Sequence, residues 1–385
     1  MSLEVASGEI SADWVWTGAG APLPGLLRFA DGRITEFEPG GRAPTHHGGL
    51  LVAGLVNAHV HLDLTFAPEG PQLQGRFTDW LLRIKELRDA EGPEGLTAAA
   101  RDGIQRSLAS GCTLLVDYDS GGYSLPALAA SPIRRLILRE VIRFHDDLDV
   151  TTELRDYIRD VAPNSSDREL RGIAPHAPYT VHPQLLPRLI ELAGELEVPW
   201  STHIAEQPWE EDFLCRGEGP FAEFFRGIGI DLERFGVRGE TGARHLDRRQ
   251  LLPGGWLVHG NYLHDDEVAA IAAAGASVVF CPRSHSWFDH APYPLAALHD
   301  AGVPICWGTD GLVSNGELSV LAEMREVRRQ FPAFSATEIF RSAITTPRRL
   351  LDNHFGHGDL RVGDPADFCV LPATGGNANG LLDEI

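Results

Sequence analysis

Two histidines, His59 and His61, stand one residue apart at the end of the apolar run LLVAGLV, which is typical of a buried β-strand. Residues i and i+2 of a strand project from the same face, so both imidazoles could converge on one metal ion. This spacing alone leaves a second interpretation open, in which the histidines only decorate a loop. Residues elsewhere in the chain are needed to distinguish a metal site from a structural role.

Three further apolar runs end in groups that bind metals or move protons. His203 ends VPWSTH and is followed three residues later by Glu206, His259 lies in WLVHG, and Asp310 ends VPICWGTD. Taken singly, His203 could be an ordinary hydrogen-bonding residue and Asp310 could cap a helix. Because all of these groups close strands, one shared site explains them better than separate structural roles. A carboxylate beside a metal ion can move the proton of an activated water.

The elements that would position these groups alternate between strands and helices. Eight short apolar runs are each followed by a loop and a helical pattern. These runs cover residues 50–59, 112–118, 134–141, 171–176, 198–203, 256–260, 276–282 and 303–310. Because each parallel pairing of strands needs a crossover, the alternation predicts an α/β fold, a (β/α)8 TIM-type barrel over residues 51–352. Active sites of such barrels lie at the carboxyl ends of the strands, where the histidines and Asp310 stand.

Two segments lie outside this alternation. Residues 1–50 contain LLRFADGRITEFEPG and residues 353–385 contain LRVGDPADFCVL, both typical of short strands joined by turns. Apolar strands of this kind need a partner that covers them. We therefore expect a small β-sandwich built from both termini.

Composition excludes several classes of partner. The net charge is −21 without any basic run, which disfavours nucleic acid and anionic membrane surfaces. No apolar run approaches the ~20 residues of a membrane span, and the amino terminus lacks the plan of a signal peptide. The five cysteines are scattered, as in proteins of a reducing compartment. We expect a cytoplasmic enzyme with a small-molecule substrate, and the oligomeric state, a homodimer included, stays open.

The motifs around these residues resemble those of the amidohydrolase superfamily, in its branch of mononuclear aminohydrolases. The resemblance extends over nearly the whole chain, including the split terminal β-structure. The motifs that carry it are HVH at 59–61, THIAE at 202–206, LVHG at 257–260, FCPRS at 280–284 and GTDGLVSN at 308–315.

This resemblance implies one divalent metal ion per chain and a role for each strand-end residue. The implied metal ligands are His59, His61, His203 and Asp310. Glu206 is implied as the proton shuttle, Asp310 as an aid in deprotonating the water, and His259 as a contact to the water or the substrate. Imidazoles with one carboxylate suit Zn²⁺, with Fe²⁺ as second choice, and such an ion acidifies bound water to a pKa of roughly 7.

The lysine content supports a single ion. Binuclear members of the superfamily use a carboxylated lysine at a strand end, whereas Lys85, the chain's only lysine, lies in the helical pattern TDWLLRIKELRDA. The implied reaction is hydrolytic deamination, in which hydroxide attacks the amine-bearing carbon of a purine-like ring while Glu206 passes a proton to the ring nitrogen. Ammonia then leaves from the tetrahedral intermediate.

The resemblance also points to residues near the substrate. In APHAPYT, His176 ends the fourth strand, where similar segments of the family line the substrate pocket, although a turn could equally satisfy this histidine. Asp79 in FTDWL lies where nucleoside deaminases place an acid on the ribose hydroxyls, or is a surface residue.

The segment FCPRSHSWFDHAPYPL is the most distinctive part of the substrate prediction. Arg283 would pair with a substrate carboxylate, and Trp287 would offer a flat apolar face, unless these side chains belong to the loop core. His285 stands where many relatives have Asn. Together with LREVIRF, which contains Arg139 as a further substrate-binding candidate, this segment most resembles aminodeoxyfutalosine deaminases.

The sequence therefore predicts a metal-dependent deaminase of an adenine nucleoside, with 6-aminodeoxyfutalosine of menaquinone biosynthesis, which bears a carboxyphenyl group, as the specific candidate. Deamination of adenosine, methylthioadenosine, S-adenosylhomocysteine or a free base is the alternative within the same class. A catalytically silent barrel that binds a metal or ligand is the alternative of another class.

Overall fold

The computed structural model describes residues 7–66, 76–145, 149–160 and 167–373. The strands in these residues are β1 (Gly8–Val15), β2 (Leu23–Ala30), β3 (Arg33–Pro39), β4 (His46–Ala53), β5 (Leu55–Val60), β6 (Cys112–Asp119), β7 (Arg134–Val141), β8 (Glu169–Pro175), β9 (Trp200–Ile204), β10 (Gly255–His259), β11 (Ser277–Phe280), β12 (Ile305–Trp307) and β13 (Phe368–Leu371). The helices are α1 (Phe77–Ala109), α2 (Leu125–Ala129), α3 (Val150–Arg159), α4 (Leu185–Glu195), α5 (Trp209–Arg216), α6 (Gly219–Gly227), α7 (Leu232–Phe235), α8 (Gly242–Arg248), α9 (Asp265–Ala274), α10 (Pro282–Trp287), α11 (Leu295–Asp300), α12 (Val320–Gln330), α13 (Ala336–Ala343) and α14 (Thr345–Leu350).

Strands β5 to β12 form one eight-stranded sheet in which neighbours along the chain are neighbours in space. The strand pairs from β7 to β12 are parallel. A parallel bridge between Val60 and Asp310 links the carboxyl end of β5 with the chain just after β12, which nearly closes the sheet. The predicted (β/α)8 TIM-type barrel is confirmed.

The apolar run at residues 50–59 divides between two sheets. Its first part belongs to β4, and its second part is β5 of the barrel. The division falls at Gly54, where a Cβ atom would lie 2.1 Å from Oγ1 of Thr113. The prediction of one continuous strand over this run is wrong, because the close approach at Gly54 and the sheet pairing of β4 are both non-local.

The remaining strands form a five-stranded sheet in the order β13-β4-β1-β2-β3. The carboxy-terminal β13 pairs with β4 and runs antiparallel to it, from Phe368 opposite Ala53 to Leu371 opposite Leu50. The contribution of both termini to one β-structure is confirmed, and in the described residues it is a single five-stranded sheet where a sandwich was expected. The proposed boundaries at residues 50 and 352 stay a prediction, and residues 374–385 lie outside the described part of the chain.

Breaks in the helices follow from glycine and proline. Helix α1 is interrupted at Gly92, whose φ of +64° is left-handed, and Pro93 follows directly. Helix α9 ends as expected at Gly275, also left-handed with a φ of +67°. Among the helices of the described residues, none combines the length and hydropathy that a membrane crossing requires.

The described residues fall into two compact units. One comprises residues 58–104 and 116–318 and contains every candidate site residue named above. The other comprises residues 7–57, 105–115 and 319–373 within the described chain, and its core includes the terminal sheet.

Candidate active site

The carboxyl ends of β5 and β12 bring three predicted metal ligands together. Nε2 of His59 lies 3.4 Å from Oδ1 of Asp310, and Nε2 of His61 lies 3.8 Å from the same oxygen. The contact depends on backbone pairing, because the amides of Thr309 and Asp310 both donate to the carbonyl of His59, over 2.9 and 3.0 Å. Asp310 itself has a left-handed φ of +59°. The two strand ends therefore hold the imidazoles and the carboxylate in one group.

His203 and His259 complete the group from β9 and β10. The ring of His59 lies 4.9 Å from that of His203 and 5.6 Å from that of His259, measured between centroids. One nitrogen from each of these three histidines fits within a set whose atoms are all within 4.8 Å of one another. Nδ1 of His203 bonds to the carbonyl of His176 at 2.8 Å, which leaves Nε2 as the nitrogen available to a metal.

Serine hydroxyls orient the carboxylate of Asp310. Its Oδ2 accepts hydrogen bonds from Oγ of Ser284 at 2.9 Å and from Oγ of Ser314 at 2.7 Å. Its Oδ1 consequently faces the imidazoles of His59 and His61. Burial raises the pKa of the Asp310 carboxyl, but the hydrogen bond from His59 and the charges of His59, His259 and His61 together outweigh that effect, so the pKa lies well below its usual range.

Burial favours the neutral form of His61, His203 and His259. Burial lowers the pKa of His61 and of His203 well below the usual range of histidine, and lowers that of His259 to about 3. Neutral imidazole is the ligand form at neutral pH. A buried group of imidazoles with one carboxylate of lowered pKa fits a single divalent cation, since the cation compensates the buried negative charge.

Glu206 lies beside these residues. Its carboxyl oxygens are not among the atoms that lie close enough together to hold one metal ion. Its Oε1 lies 3.8 Å from Nε2 of His259, and the hydroxyl of Tyr179 donates to its Oε2 at 3.4 Å. Burial, together with the negative charge of Asp310, raises the pKa of Glu206 well above its usual range. A carboxyl that holds a proton near neutral pH suits a proton shuttle.

The loop that carries Glu206 is held by a second buried carboxylate. Glu210 accepts hydrogen bonds from the amides of Ala205 at 2.9 Å, Glu206 at 2.6 Å and Gln207 at 3.1 Å. Nδ2 of Asn261 donates to the carbonyl of Glu206 at 3.1 Å. Ala205 has an unfavourable left-handed φ of +48°, so this network maintains a strained turn that aims Glu206.

A cavity of about 330 Å³ opens beside the group. At its polar end lie His61, His203, Glu206, His259 and Asp310. Elsewhere its wall is mainly aromatic and aliphatic, formed by Leu64, Phe77, Trp80, Leu81, Ile84, Ile142, Phe144, Phe224, Phe225 and Ile228. This combination suits a flat heterocycle that carries an apolar substituent.

Of the six residues predicted to bind substrate, His176 lines this cavity. Its Nδ1 bonds to Oγ1 of Thr180 at 2.7 Å, and its Nε2 lies 4.0 Å from Oε1 of Glu140. Burial lowers the pKa of His176 to about 4, so the ring is neutral at neutral pH.

The other five candidates do not line the cavity within the described residues. Asp79 is exposed and accepts from the amide of Arg76 at 3.2 Å. Arg139 donates to Oδ2 of Asp119 at 3.0 Å and lines a neighbouring cavity of about 260 Å³. Contact of Asp79 and Arg139 with the substrate stays a prediction.

The distinctive segment after β11 lies mostly outside the cavity. Arg283 donates through Nε to Oδ1 of Asn315 at 2.8 Å and pairs with Glu317 at 3.2 Å. Nε2 of His285 bonds to the carbonyl of Ala291 at 2.9 Å, and Trp287 ends helix α10. Arg283 thus contacts the chain after β12, and His285 contacts its own segment. Substrate binding by Arg283, His285 and Trp287 stays a prediction.

Phe288 in the same segment does support the cavity wall. Its ring lies 5.3 Å from that of Phe77 and 5.1 Å from that of Trp80, and both rings line the cavity.

The sequence did not identify several residues of the site. Glu140 in LREV is buried at the end of β7 and lines the cavity, and its position at a strand end was a usable signal. Tyr179 of APHAPYT and Glu210 of EQPWEE form hydrogen bonds with Glu206. The spacing of these residues in the sequence does not predict such bonds. Arg88 also lines the cavity, and its guanidinium binds the buried Asp63 at 2.6 Å.

Comparison with protein families decides the wider assignment, because the model of the amidohydrolase family matches residues 50–380. The chain belongs to the amidohydrolase family. Among curated relatives, the 5-methylthioadenosine/S-adenosylhomocysteine deaminase of Nitratidesulfovibrio vulgaris is 26% identical over 383 residues, covering 93% of this chain and 82% of that protein. The aminodeoxyfutalosine deaminase of Deinococcus radiodurans is 26% identical, covering 79% of this chain and 74% of that protein.

Solved structures agree with this assignment. An adenosine deaminase from Xanthomonas campestris, determined with bound zinc, has a TM-score of 0.77 and 25% identity, covering 94% of this chain and 83% of that chain. The predicted resemblance, fold class and enzyme class, a hydrolase of C–N bonds, are confirmed at the level of this family.

Proposed function

We propose that this amidohydrolase is a hydrolytic deaminase of an adenine nucleoside, with one divalent metal ion held by His59, His61, His203 and Asp310. The observation that carries the proposal is Glu206, a buried carboxyl of raised pKa beside a group of neutral imidazoles and one carboxylate. The activities of the relatives and the aromatic lining of the cavity support an adenine nucleoside as the substrate.

When bound, the cation would lower the pKa of a water molecule and supply the nucleophile, and Zn²⁺ is our first candidate. The protein residues manage the protons. Oδ1 of Asp310 accepts a proton from the water, and Glu206 delivers one to the ring nitrogen next to the attacked carbon. The proton on Asp310 then passes to the amino group, which leaves as ammonia, and Glu206 recovers a proton from the new hydroxyl as the carbonyl forms. His259, neutral and 3.8 Å from Glu206, contacts the water or the substrate. The aromatic wall would shield one side of the ring from bulk water.

For the specific substrate we propose 6-aminodeoxyfutalosine, whose carboxyphenyl group would lie along the aromatic wall. A cation near that wall is Lys85, which lines the cavity and pairs with Asp89 at 2.5 Å in an exposed ion pair. Exposed ion pairs contribute little free energy, so the lysine can turn toward a substrate carboxylate at small cost. This substrate would place the enzyme in menaquinone biosynthesis.

Methylthioadenosine and S-adenosylhomocysteine are the second candidates. They are the substrates named for the relative from N. vulgaris, which aligns over 93% of this chain. The aromatic wall suits the methylthio group of the first as well as it suits a phenyl ring.

The test is ammonia release from a panel that contains 6-aminodeoxyfutalosine, methylthioadenosine, S-adenosylhomocysteine and adenosine. A kcat/KM for 6-aminodeoxyfutalosine above those of the other three supports the specific proposal. A preference for one of the other three would support deaminase activity but identify a different substrate. Metal-loaded protein that releases ammonia from none of them contradicts the proposed function.

Lys85→Met tests the contact with the carboxylate. We expect kcat/KM for 6-aminodeoxyfutalosine to fall about tenfold, the loss of one charge-assisted hydrogen bond, while that for methylthioadenosine is unchanged. Arg83→Met, which breaks an exposed ion pair with Glu86 in the same helix, is the matched control.

A further inference from the structure

A buried carboxyl that the proposed reaction leaves unused lines the cavity. Glu140 ends β7 with 9% of its surface exposed, and its Oε1 has no hydrogen-bond partner. A buried acceptor without a partner is costly in a folded protein, and one that faces a cavity indicates a ligand that supplies the donor.

The location of this oxygen restricts which part of a ligand it meets. A carboxyl oxygen of Glu140 and one nitrogen each of His61 and His203 lie within 4.8 Å of one another, so Glu140 is next to the reacting centre. It also lies 4.0 Å from Nε2 of His176. The oxygen is therefore placed to meet the ring or its leaving group, at the same end of the cavity as the proposed metal ligands.

Glu140 and Glu206 approach this centre from different strands. Glu206 follows β9 and lies near His259 of the neighbouring β10, whereas Glu140 ends β7, which β8 separates from β9 in the sheet. The attacked carbon of an aminated ring has a ring nitrogen on one side and the amino group on another. Glu206 is assigned to the ring nitrogen, which leaves the amino group, a donor with two N–H bonds, for the second carboxyl.

We infer that Glu140 accepts a hydrogen bond from the departing amino group of the substrate. The inference rests on the proposed deaminase function and adds a specificity-determining residue to it. Such a bond would distinguish an amino group from leaving groups that have no N–H, and it would orient the nitrogen for departure as ammonia.

The experiment compares two ligands that differ only at the reacting carbon. One is the adenine nucleoside that the wild type deaminates fastest, for which kcat/KM is measured. The other is the same nucleoside with hydrogen in place of the amino group, for which the inhibition constant is measured.

Glu140→Met removes the acceptor while keeping the length of the side chain. We expect kcat/KM for the amino nucleoside to fall about tenfold, because the amino group loses a buried hydrogen-bond acceptor. The inhibition constant of the nucleoside without the amino group should stay unchanged. Glu140→Gln, which retains a carbonyl acceptor, should recover part of the rate.

Glu153→Gln is the matched control, because it neutralises an exposed glutamate of α3 that does not line the cavity beside the histidines. It should behave as the wild type with both ligands.

Two outcomes would overturn the inference. Equal losses with both ligands in Glu140→Met would mean that the residue only shapes the cavity. Loss of the metal ion from that variant would assign Glu140 to the metal. If the wild-type protein deaminates no adenine nucleoside, the proposed function is contradicted. This result needs only the wild-type protein, so it is distinguishable from a failure of the inference about Glu140.

Discussion

At the scale of single residues, Glu206 and Asp310 show how one site keeps two carboxyl groups in different states. Although Asp310 is buried, the hydrogen bond from His59 and the neighbouring histidines hold its pKa well below the usual range, and two serine hydroxyls donate to its other oxygen. Glu206 receives one long hydrogen bond, from Tyr179, and is otherwise desolvated, so its pKa is raised. The first carboxylate can bind a cation, while the second can carry a proton.

Glu206→Gln should therefore keep the metal and lose catalysis. The amide has the same shape but cannot transfer a proton, so we expect turnover to fall by at least ~10². Turnover and metal content are measured on the same preparation. Glu211→Gln, which changes the exposed partner of His264, is the control, and near-normal turnover of Glu206→Gln would remove its proposed role.

Arg283 should act on the site through its loop. Its guanidinium binds Asn315, and Nδ2 of Asn315 donates at 2.6 Å to the carbonyl of Thr309, the residue before Asp310. We expect Arg283→Met to lower kcat/KM by the same factor for nucleosides with and without a carboxylate. A loss confined to the carboxylated substrate would instead support the sequence-based prediction that Arg283 binds that carboxylate.

At the scale of the elements, the closure between β12 and β5 leaves no room for a side chain at residue 308. A Cβ atom on Gly308 would lie 2.6 Å from Cβ of His59 and 3.1 Å from Sγ of Cys281. Gly308→Ala should displace His59, destabilise the fold by ~1–3 kcal/mol and lower metal occupancy. Gly194→Ala in helix α4, where a Cβ meets nothing within 4 Å, is the control and should be neutral or stabilising. Full occupancy in Gly308→Ala would contradict this account.

Glu210, in the loop after β9, should make the stability of the protein depend on pH. Burial raises the pKa of Glu210 from its ordinary 4.5 to about 7, although three backbone amides donate to it. Because the folded-state pKa exceeds the unfolded one, the stability that Glu210 contributes is complete below pH 4.5 and is lost as the pH rises through about 7.

Glu210→Gln isolates this effect. The unfolding free energy of the wild type relative to the variant should fall between pH 4.5 and 8, by ~3 kcal/mol at most for a shift of this size. Denaturant melts at a series of pH values measure the difference. A difference that does not change with pH would show that the carboxyl titrates alike in both states.

At the scale of the whole molecule, the buried group should link folding to metal binding. Without a cation, the carboxylate of Asp310 and the imidazoles would remain buried together without compensation of the negative charge. Elemental analysis should find about one divalent ion per chain. Removal of the ion by a chelator should lower the unfolding temperature, since an ion at 100 times its Kd stabilises by ~2.7 kcal/mol.

Re-addition of Zn²⁺ should restore both the unfolding temperature and the activity. Two tightly bound ions per chain, or active protein without any, would contradict the single site. The cytoplasmic location and the absence of nucleic-acid partners, expected from the composition, stay predictions.

The sequence by itself determined the fold class and most of the candidate site. Strand and helix periodicity is local, and the rule that barrel sites lie at the carboxyl ends of strands turns a linear list of polar strand ends into a cluster. For this reason His59, His61, His203, His259 and Asp310 could be named before any distance was known. Glu206 followed from its place three residues after a strand-end histidine.

Only the tertiary structure decided what depends on residues distant in the chain. The sequence identifies Arg283 as a candidate for substrate binding, whereas its hydrogen bond to Asn315, 32 residues later, is seen only in the structure. The run at 50–59 is typical of one strand, and only the structure shows that Thr113 packs against Gly54, where the run divides. Glu140 differs from other strand-end acids only because the surrounding strands bury its oxygen without a donor. Local patterns predict elements and their ends, whereas the partner of each polar group is fixed by packing between elements that the sequence does not order in space.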